Sequence, residues 1–151
     1  MARWLAIDHG SKRFGVAVGT HENAMASPVA VLSASPAMRV FQEILKLADQ
    51  YNVAGIVIGW PLNMDDSEGP QAVTARAMAM ELSTMTSLDV RLWDERLSSF
   101  TADNALAGHL TRKKRRARQD SLAAATILQD FFSRNGPDVA PRPRDMQKPK
   151  K

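Results

Sequence analysis

One helix-like segment that runs straight into a short apolar strand is the feature that most limits how this chain can fold. The helix begins at Ser35-Pro36, where Ser suits the N-cap and Pro the first turn. Its apolar residues recur at the spacing of one helical face, and they are Phe41, Ile44, Leu45 and Ala48. The run 53–58 that follows is apolar and β-branched, as in a buried strand. A buried strand directly after a helix predicts a parallel crossover and therefore an α/β sheet.

Further strand-like runs lie on both sides of this unit. Three precede it, at residues 4–7, 14–19 and 27–32, and one follows it, at residues 90–93. The first two are separated by a turn that contains Gly10, which predicts a hairpin. The order predicts a mixed five-stranded sheet with an antiparallel hairpin edge and parallel inner strands.

Three more helices are predicted to flank this sheet. The second helix begins at Pro70 and runs to about residue 84, and the third begins over 101–106. The fourth begins at Asp120, is apolar on most sides, and ends at Asn135-Gly136-Pro137. We therefore expect one domain over residues 1–136 and, because the remainder is rich in Pro, Lys and Arg, a disordered basic tail over 137–151.

Composition excludes several classes of protein. The chain has no cysteine, so disulfides and cysteine zinc sites are excluded. It has no apolar run near the roughly 18 residues of a membrane span, and no signal-peptide pattern follows Met1. We therefore expect a cytoplasmic protein that does not enter a membrane.

The positive charge is concentrated in two segments. Net charge is +4, and it becomes −2 without one short basic run and −5 when the tail from Pro137 is also removed. The run consists of Arg112, Lys113, Lys114, Arg115, Arg116 and Arg118. Bases kept only for solubility are an alternative, but a run this dense favours contact with a polyanion such as nucleic acid.

Three carboxylates are candidates for a shared metal site. Asp8 and Glu95 each follow a predicted strand, and the carboxyl ends of parallel strands are where α/β sheets bind ligands. Asp120 is next to the basic run. Acids that meet raise one another's pKa, and Mg²⁺ or Mn²⁺ would relieve that repulsion. Each acid also has a structural alternative: Asp8 in a turn, Glu95 in an ion pair, and Asp120 at a helix start.

Several polar residues near these acids could contact a nucleic acid. Lys12 and Arg13 could bind phosphate or only flank a turn, and Asn63 could bind a ligand or stabilise its own loop. Arg96 directly follows Glu95 and belongs to the same group of predicted contacts. His9 is next to Asp8 and could touch substrate.

Four stretches in a fixed order carry a resemblance to a known family. They are AIDHGSKRFGVAVG (6–19), IGWPLNMDDSEGPQA (58–72), WDERLSS (93–99) and RKKRRARQDSLAAATILQ (112–129). Each alone is a weak signal, but together they cover most of residues 3–133. They resemble the YqgF family, Holliday junction resolvase-like proteins that are also called pre-16S rRNA nucleases.

The resemblance implies a ribonuclease H-like fold and assigns the three acids. Asp8 matches the first-strand Asp of the family, Glu95 the Glu of the DER motif, and Asp120 the Asp before the last helix. Two residues depart from the family pattern: Asp66 stands where a glycine is usual, and His9 where an apolar or aromatic residue is usual.

The function implied is hydrolysis of phosphodiester bonds by a hydrolase that uses two metal ions, Mg²⁺ or Mn²⁺. The resemblance suggests the 5′ end of pre-16S rRNA in ribosome biogenesis, with ribosomal particles as partners, or branched DNA such as a Holliday junction. A non-catalytic nucleic-acid-binding factor is a second interpretation. A lobe of an actin-like ATPase is a third, because DHGSKRFGVAV loosely resembles the phosphate loop of those enzymes.

Overall fold

A computed structural model gives the architecture of the chain. It describes residues 2–10, 12–22, 25–95 and 112–143, with the backbone alone for residues 112–121. The predicted third helix, which begins over 101–106, lies outside the described residues.

Five strands form one mixed sheet in the order β3-β2-β1-β4-β5. They are β1 (Arg3–His9), β2 (Arg13–Thr20), β3 (Met25–Ser33), β4 (Gly55–Trp60) and β5 (Asp89–Asp94). The pairs β1–β2 and β2–β3 are antiparallel, whereas β1–β4 and β4–β5 are parallel. The predicted hairpin edge and parallel inner strands are therefore confirmed, and the carboxyl ends of β1, β4 and β5 meet at one edge.

Helices cover both faces of the sheet. They are α1 (Ala37–Gln50), α2 (Pro70–Met85), α3 (Arg112–Ser133) and the short α4 (Gly136–Val139). The helices α1 and α2 cover one face, where Ile44 and Leu82 pack against strand residues such as Ile7. The helix α3 covers the other face, where its residues pack against Trp4, Ala6 and Val57. Side chains alternate between faces along a strand, so even-numbered residues of β1 face α3 and odd-numbered residues face α1 and α2.

Two predicted helix starts differ from the structure. Pro36 is the N-cap of α1 and Ala37 its first residue, so Ser35 does not cap the helix. The last long helix begins at Arg112 and not at Asp120. Lys and Arg are good helix formers and no Gly or Pro interrupts residues 112–120, so the helix extends back through the basic run. Its predicted end is confirmed, because Asn135 has the left-handed conformation typical of a residue just past a helix.

The expectation of a disordered tail does not hold for residues 137–143. Ala140 is buried against the core under α3, and the N–H of Leu92 donates to the carbonyl of Pro141 at 2.9 Å. Arg91 donates to the carbonyl of Ala140 at 2.6 Å. Arg142 donates through Nε to Asp89 at 3.0 Å. Basic residues thus fix this part of the tail beside β5 through specific bonds, which composition could not reveal; residues 144–151 lie outside the described residues.

Within the described part of the chain, no helix combines the length and the apolar character needed to cross a membrane.

Candidate metal centre

Asp8 and Glu95 lie on the same face of the sheet at its carboxyl edge. Ile7 pairs with Ile58, so Asp8 at the end of β1 is level with Gly59 of β4. Gly59 in turn pairs with Trp93 of β5, two residues before Glu95. Alternation along each strand puts Asp8, Gly59 and Glu95 on the face that α3 covers. The predicted convergence of the first two acids is therefore what the strand register produces.

Gly59 makes room for the Glu95 carboxylate. A methyl group built on Gly59 would overlap Glu95 Oε2, and it would lie 2.9 Å from Ile127 Cδ1 of α3. A glycine inside a strand often marks such a close approach, and any side chain here would displace the carboxylate or the helix. The sequence analysis did not select Gly59, although a glycine within the β-branched run of β4 is a signal for it.

The environment of Glu95 is unfavourable for a carboxylate. Burial raises the pKa of Glu95, and the charges of Asp8 and Asp94 raise it further, to about 7. Desolvation and like charges both disfavour the ionised acid, and a bound cation would reverse both effects. These groups are hard oxygen donors, the type that Mg²⁺ and Mn²⁺ take. The described acids therefore fit a divalent metal ion.

The backbone of α3 brings position 120 to the same edge. The helical repeat puts 120 on one stripe with Ala124, Ile127 and Phe131, all of which are buried. Ala124 clusters with Ala17, which pairs with Ala6 of β1. Position 120 is one helical turn before Ala124, about 6 Å along the axis, and Asp8 is two strand residues beyond Ala6, a similar distance. Position 120 is thus level with Asp8.

Among the side chains that the structure describes, no group of three His, Cys, Asp or Glu residues is arranged to hold an ion. The side chain of Asp120 lies outside those described, so the described part of the candidate centre consists of Asp8 and Glu95, with Asp94 as a nearby charge.

Trp93 connects β5, the strand that precedes Glu95, to the helix that carries position 120. Its Nε1 donates to Asp130 Oδ2 at 3.0 Å, and its ring makes an edge contact with Phe131 at a centroid distance of 5.5 Å. Trp93 is buried, with 4% of its surface exposed. Because both contacts lie on α3, they fix the helix relative to β5.

The loop after β4 is held in a defined conformation beside the candidate centre. Its far end is anchored by Glu68, which accepts from Trp60 Nε1 at 2.9 Å and from both Nε and a terminal nitrogen of Arg76 at 2.8 and 2.9 Å. In the loop, Asn63 Nδ2 donates to Ser67 Oγ at 2.9 Å. Of the two predicted roles for Asn63, the structure shows loop stabilisation. The Glu68–Arg76 pair was missed, because the two residues are eight apart and in different elements.

The predicted phosphate-binding residues fall partly within the described structure. Lys12 is exposed at the β1–β2 turn, and Arg13 begins β2 on the face of Asp8 by strand alternation. Arg96 lies outside the described residues, as do the side chains of the basic run at 112–118. The backbone places that run in the first two turns of α3, next to position 120.

His9 lies on the opposite face from Asp8. It is 8% exposed, its ring packs against Phe14 at a centroid distance of 4.7 Å, and its Nδ1 has no hydrogen-bond partner. Burial lowers the pKa of His9 below its ordinary value. A direct role at the carboxylates is therefore not supported by its position.

Among the described residues, the sheet order, one long helix over one face and the acids at the carboxyl ends of β1 and β5 define the ribonuclease H-like class. The chain belongs to the RuvX family, because the family model described as "RuvX: Holliday junction resolvase" matches residues 2–134. Membership of this family places the chain among the nucleases, which are hydrolases.

Curated relatives agree with this family. A "Putative pre-16S rRNA nuclease" of Opitutus terrae is 42% identical over 95% of this chain and 99% of its own. A protein of the same name from Paracoccus denitrificans is 41% identical over 85% of this chain and 82% of its own.

Solved structures with low sequence identity confirm the fold alone. Thermus thermophilus RuvC in complex with a Holliday junction substrate superposes with a TM-score of 0.57 at 13% identity, over 93% of this chain and 98% of that one. A second structure of T. thermophilus RuvC gives 0.53 at 17% identity, over 91% and 98%.

Proposed function

We propose that this protein hydrolyses phosphodiester bonds in structured nucleic acid, with two divalent metal ions held by Asp8, Glu95 and Asp120. The observation that carries the proposal is the placement of Glu95. Its carboxylate is buried over Gly59, and burial together with the charges of Asp8 and Asp94 raises its pKa, a shift that a bound cation would oppose.

The three acids lie in or directly after three different elements, and all three elements reach the carboxyl edge of the sheet. Asp8 lies in the central strand β1, one residue before its end, and in this proposal it would contact both ions. Glu95 approaches from the β5 side over β4, and position 120 is on α3 above β1 and β2. Each of these two acids would then complete one side of the centre. Mg²⁺ or Mn²⁺ matches this oxygen donor set.

Bound ions of this kind activate a water molecule and stabilise the leaving oxygen of an in-line displacement. The protein's own residues supply orientation. Trp93 and its contacts to Asp130 and Phe131 keep β5 and α3 in register, and Gly59 lets the Glu95 carboxylate come close to the sheet. Burial of Glu95 keeps bulk water from its carboxylate, which strengthens its interaction with any bound cation.

The basic run supports a polyanionic substrate. Six of the first seven residues of α3 are Lys or Arg, although the positive end of the helix dipole disfavours cations there. The structure of the helix does not explain such a run, whereas phosphate binding does. We assign it to phosphate contact together with Lys12, Arg13, Asn63 and Arg96.

The names of the relatives point to a substrate. Proteins about 40% identical over most of this chain are named for pre-16S rRNA, so we propose that the chain processes the 5′ end of that RNA, with ribosomal particles as partners. The family description names Holliday junctions, so branched DNA is the alternative substrate.

The test is a cleavage assay with Mg²⁺ or Mn²⁺ on two substrates, an RNA that spans the 5′ end of 16S rRNA and a four-way DNA junction. Asp8→Asn should lower cleavage roughly 100-fold or more, since a contact to the ions is worth several kcal/mol. Asp49→Asn, at an exposed position on α1, is the matched control and should cleave like the parent.

The proposal would be wrong if Asp8→Asn cleaved as fast as the parent. It would also be wrong if the parent bound both substrates equally well in EDTA and with Mg²⁺ but cleaved neither, because that behaviour defines a binding factor.

A further inference from the structure

A cavity of about 630 Å³ lies on the face of the sheet away from Asp8 and Glu95. It opens between α1 and α2, near the carboxyl end of β1. Its walls are mainly apolar and include two aromatic rings, those of Phe14 and Phe41, with Val40 and Met78. The volume is within the range of sites that bind small organic groups.

The few polar groups of the cavity converge on an otherwise apolar space. His9 lines it at the end of β1, and α2 contributes Gln71, Thr74 and Glu81. Apolar walls with a small number of placed polar groups are typical of a binding site for a specific ligand.

The imidazole of His9 is not explained by the packing of the core. Its Nδ1 is enclosed and has no hydrogen-bond partner, and the residue lines the cavity. A buried polar group without a partner costs free energy, and an apolar ring at this position would avoid that cost.

The cavity and the candidate metal centre share the end of one strand. Asp8 and His9 are consecutive in β1, and the pleat points their side chains to opposite faces. A chain of nucleotides that crosses this edge could therefore present a phosphate on one face and a base on the other.

We propose that the cavity binds one unstacked base of the nucleic-acid strand that is held at Asp8 and Glu95. This inference rests on the proposed function and adds a base-binding pocket to it. Single-stranded nucleic acid is recognised by stacking of splayed bases on aromatic rings and by hydrogen bonds to base edges. Phe41 and Phe14 offer the aromatic walls, and His9 and Gln71 offer hydrogen-bonding groups that distinguish one base from another.

Filling the cavity tests the proposal. Ala77 lines it from the exposed side of α2, so Ala77→Trp should block it without changing the core. Loss of one stacked base should raise KM for cleavage roughly tenfold, with kcat little changed. Thr84→Trp is the control, because Thr84 is exposed two turns further along the same helix and outside the cavity. Equal KM in Ala77→Trp and the parent, or an equal rise in both variants, would overturn the proposal.

A second measurement does not depend on cleavage. In EDTA, a single-stranded RNA containing 4-thiouridine should photo-crosslink to α1 or α2 residues of the cavity, and Ala77→Trp should abolish those adducts. Crosslinks confined to other segments would overturn the pocket even if Asp8→Asn had confirmed the nuclease. Pocket crosslinks in a protein that cleaves nothing would support the pocket and refute the proposed function.

Free nucleosides distinguish the two sources of a base. If the base must be part of a strand, each free nucleoside at about 1 mM should leave the crosslink yield unchanged. Loss of the adducts with nucleoside alone would overturn the strand proposal in favour of a free nucleoside ligand.

Discussion

Glu95 is the residue whose protonation responds most directly to the candidate centre. Without a metal its folded pKa is about 7, above the ordinary value of 4.5, with burial as the first cause and the charge of Asp8 as the second. The folded protein therefore holds a proton that the unfolded chain releases between pH 4.5 and 7. Protonation of Glu95 therefore adds to the free energy of unfolding. This contribution is complete below pH 4.5 and is lost as the pH rises to about 7.

We accordingly expect Glu95→Gln to stabilise the metal-free protein at pH 8 by roughly 1–3 kcal/mol, and by much less at pH 5. Urea unfolding in EDTA at the two pH values measures the difference. Excess Mg²⁺ at pH 8 should then stabilise the parent but not the variant, because the ion binds only the folded site. Glu22→Gln, at an exposed position, should have the same free energy of unfolding as the parent in EDTA at both pH values and should be stabilised by Mg²⁺ as the parent is. A variant less stable than the parent at pH 8 in EDTA would contradict this account of Glu95.

Asp66 has a backbone conformation that glycine adopts more easily than other residues. It stands where the resembling family usually has glycine, and its φ of 73° is in the left-handed region that glycine adopts easily. Asp tolerates this region better than most residues, because its short side chain can bond locally. The loop thus keeps a conformation suited to glycine with a different residue.

Replacement by a β-branched residue should therefore be costly at this position. We expect Asp66→Val to lower the free energy of unfolding by about 1–2 kcal/mol, and Asp66→Gly to stay within about 1 kcal/mol of the parent. Met64→Val is the control, since Met64 is 87% exposed and its φ is not positive. Denaturant unfolding of the three variants checks the order, and equal stability of the two valine variants would show that the backbone of Asp66 relaxes freely.

At the scale of elements, the loop over residues 61–69 joins β4 to α2, and the carboxylate of Glu68 in this loop accepts hydrogen bonds from Trp60 and Arg76. The hydrogen bonds of Arg76 hold the pKa of Glu68 below its ordinary value, more than burial raises it. The stabilisation is therefore present above pH 4.5 and is lost as pH falls through the lowered pKa. Both side chains are about a quarter to a third exposed, so solvent screening limits the pair to roughly 0.5–1 kcal/mol.

We expect Arg76→Met to change the loop more than the fold. Amide exchange at residues 63–68 should become faster, while global stability falls by no more than about 1 kcal/mol. Hydrogen exchange read by NMR or mass spectrometry measures this, with Arg39→Met on α1 as the exposed control. Unchanged exchange in the loop would show that the Asn63–Ser67 bonds alone maintain it.

The sequence predicted elements well where periodicity and end residues agreed. The helix α2 begins at Pro70 as predicted, and every strand was found within about three residues of its ends. The start of α3 was predicted at Asp120 because Asp is a common residue at a helix start. The helix begins at Arg112 because Lys and Arg have high helix propensity, which the choice of an N-cap residue does not take into account.

The candidate site was only partly readable for a similar reason. Asp8 and Glu95 follow strands, so their shared edge could be predicted from topology. The burial of Glu95 over Gly59 and the anchor at Glu68 depend on contacts between distant elements, which no local pattern encodes.

For the whole molecule, the C-terminal segment closes the sheet beside β5. Burial alone would raise the pKa of Asp89, but hydrogen bonds from Arg91 and Arg142 outweigh it and lower the pKa. Ala140 and Pro141 add a buried contact and a backbone bond to β5. This arrangement uses Arg142 of the basic tail for structure, so the tail's charge is not all available to a polyanion.

The position of the basic run can be separated from its contribution to net charge by experiment. Net charge attracts a polyanion at long range, whereas a phosphate contact depends on where each base lies. Replacing Arg112, Lys113, Lys114 and Arg115 by Gln removes four charges and preserves helix propensity. Replacing Arg144, Lys148, Lys150 and Lys151 removes the same number. If all four bases of the run contact phosphates beside position 120, only their loss should reduce the slope of log K against log salt by about 3.6, since each phosphate contact contributes roughly 0.9.

The affinity of each variant for the RNA and for the junction is measured at salt concentrations from roughly 50 to 200 mM. The plot of log K against log salt then gives the slope for each variant. A smaller, equal loss in the two variants would mean that the protein attracts polyanions only through its net charge. A loss confined to the tail variant would move the phosphate contact away from α3 and away from the acids. The expected result, a loss confined to the run, would place the polyanion contact on the helix that also carries Asp120.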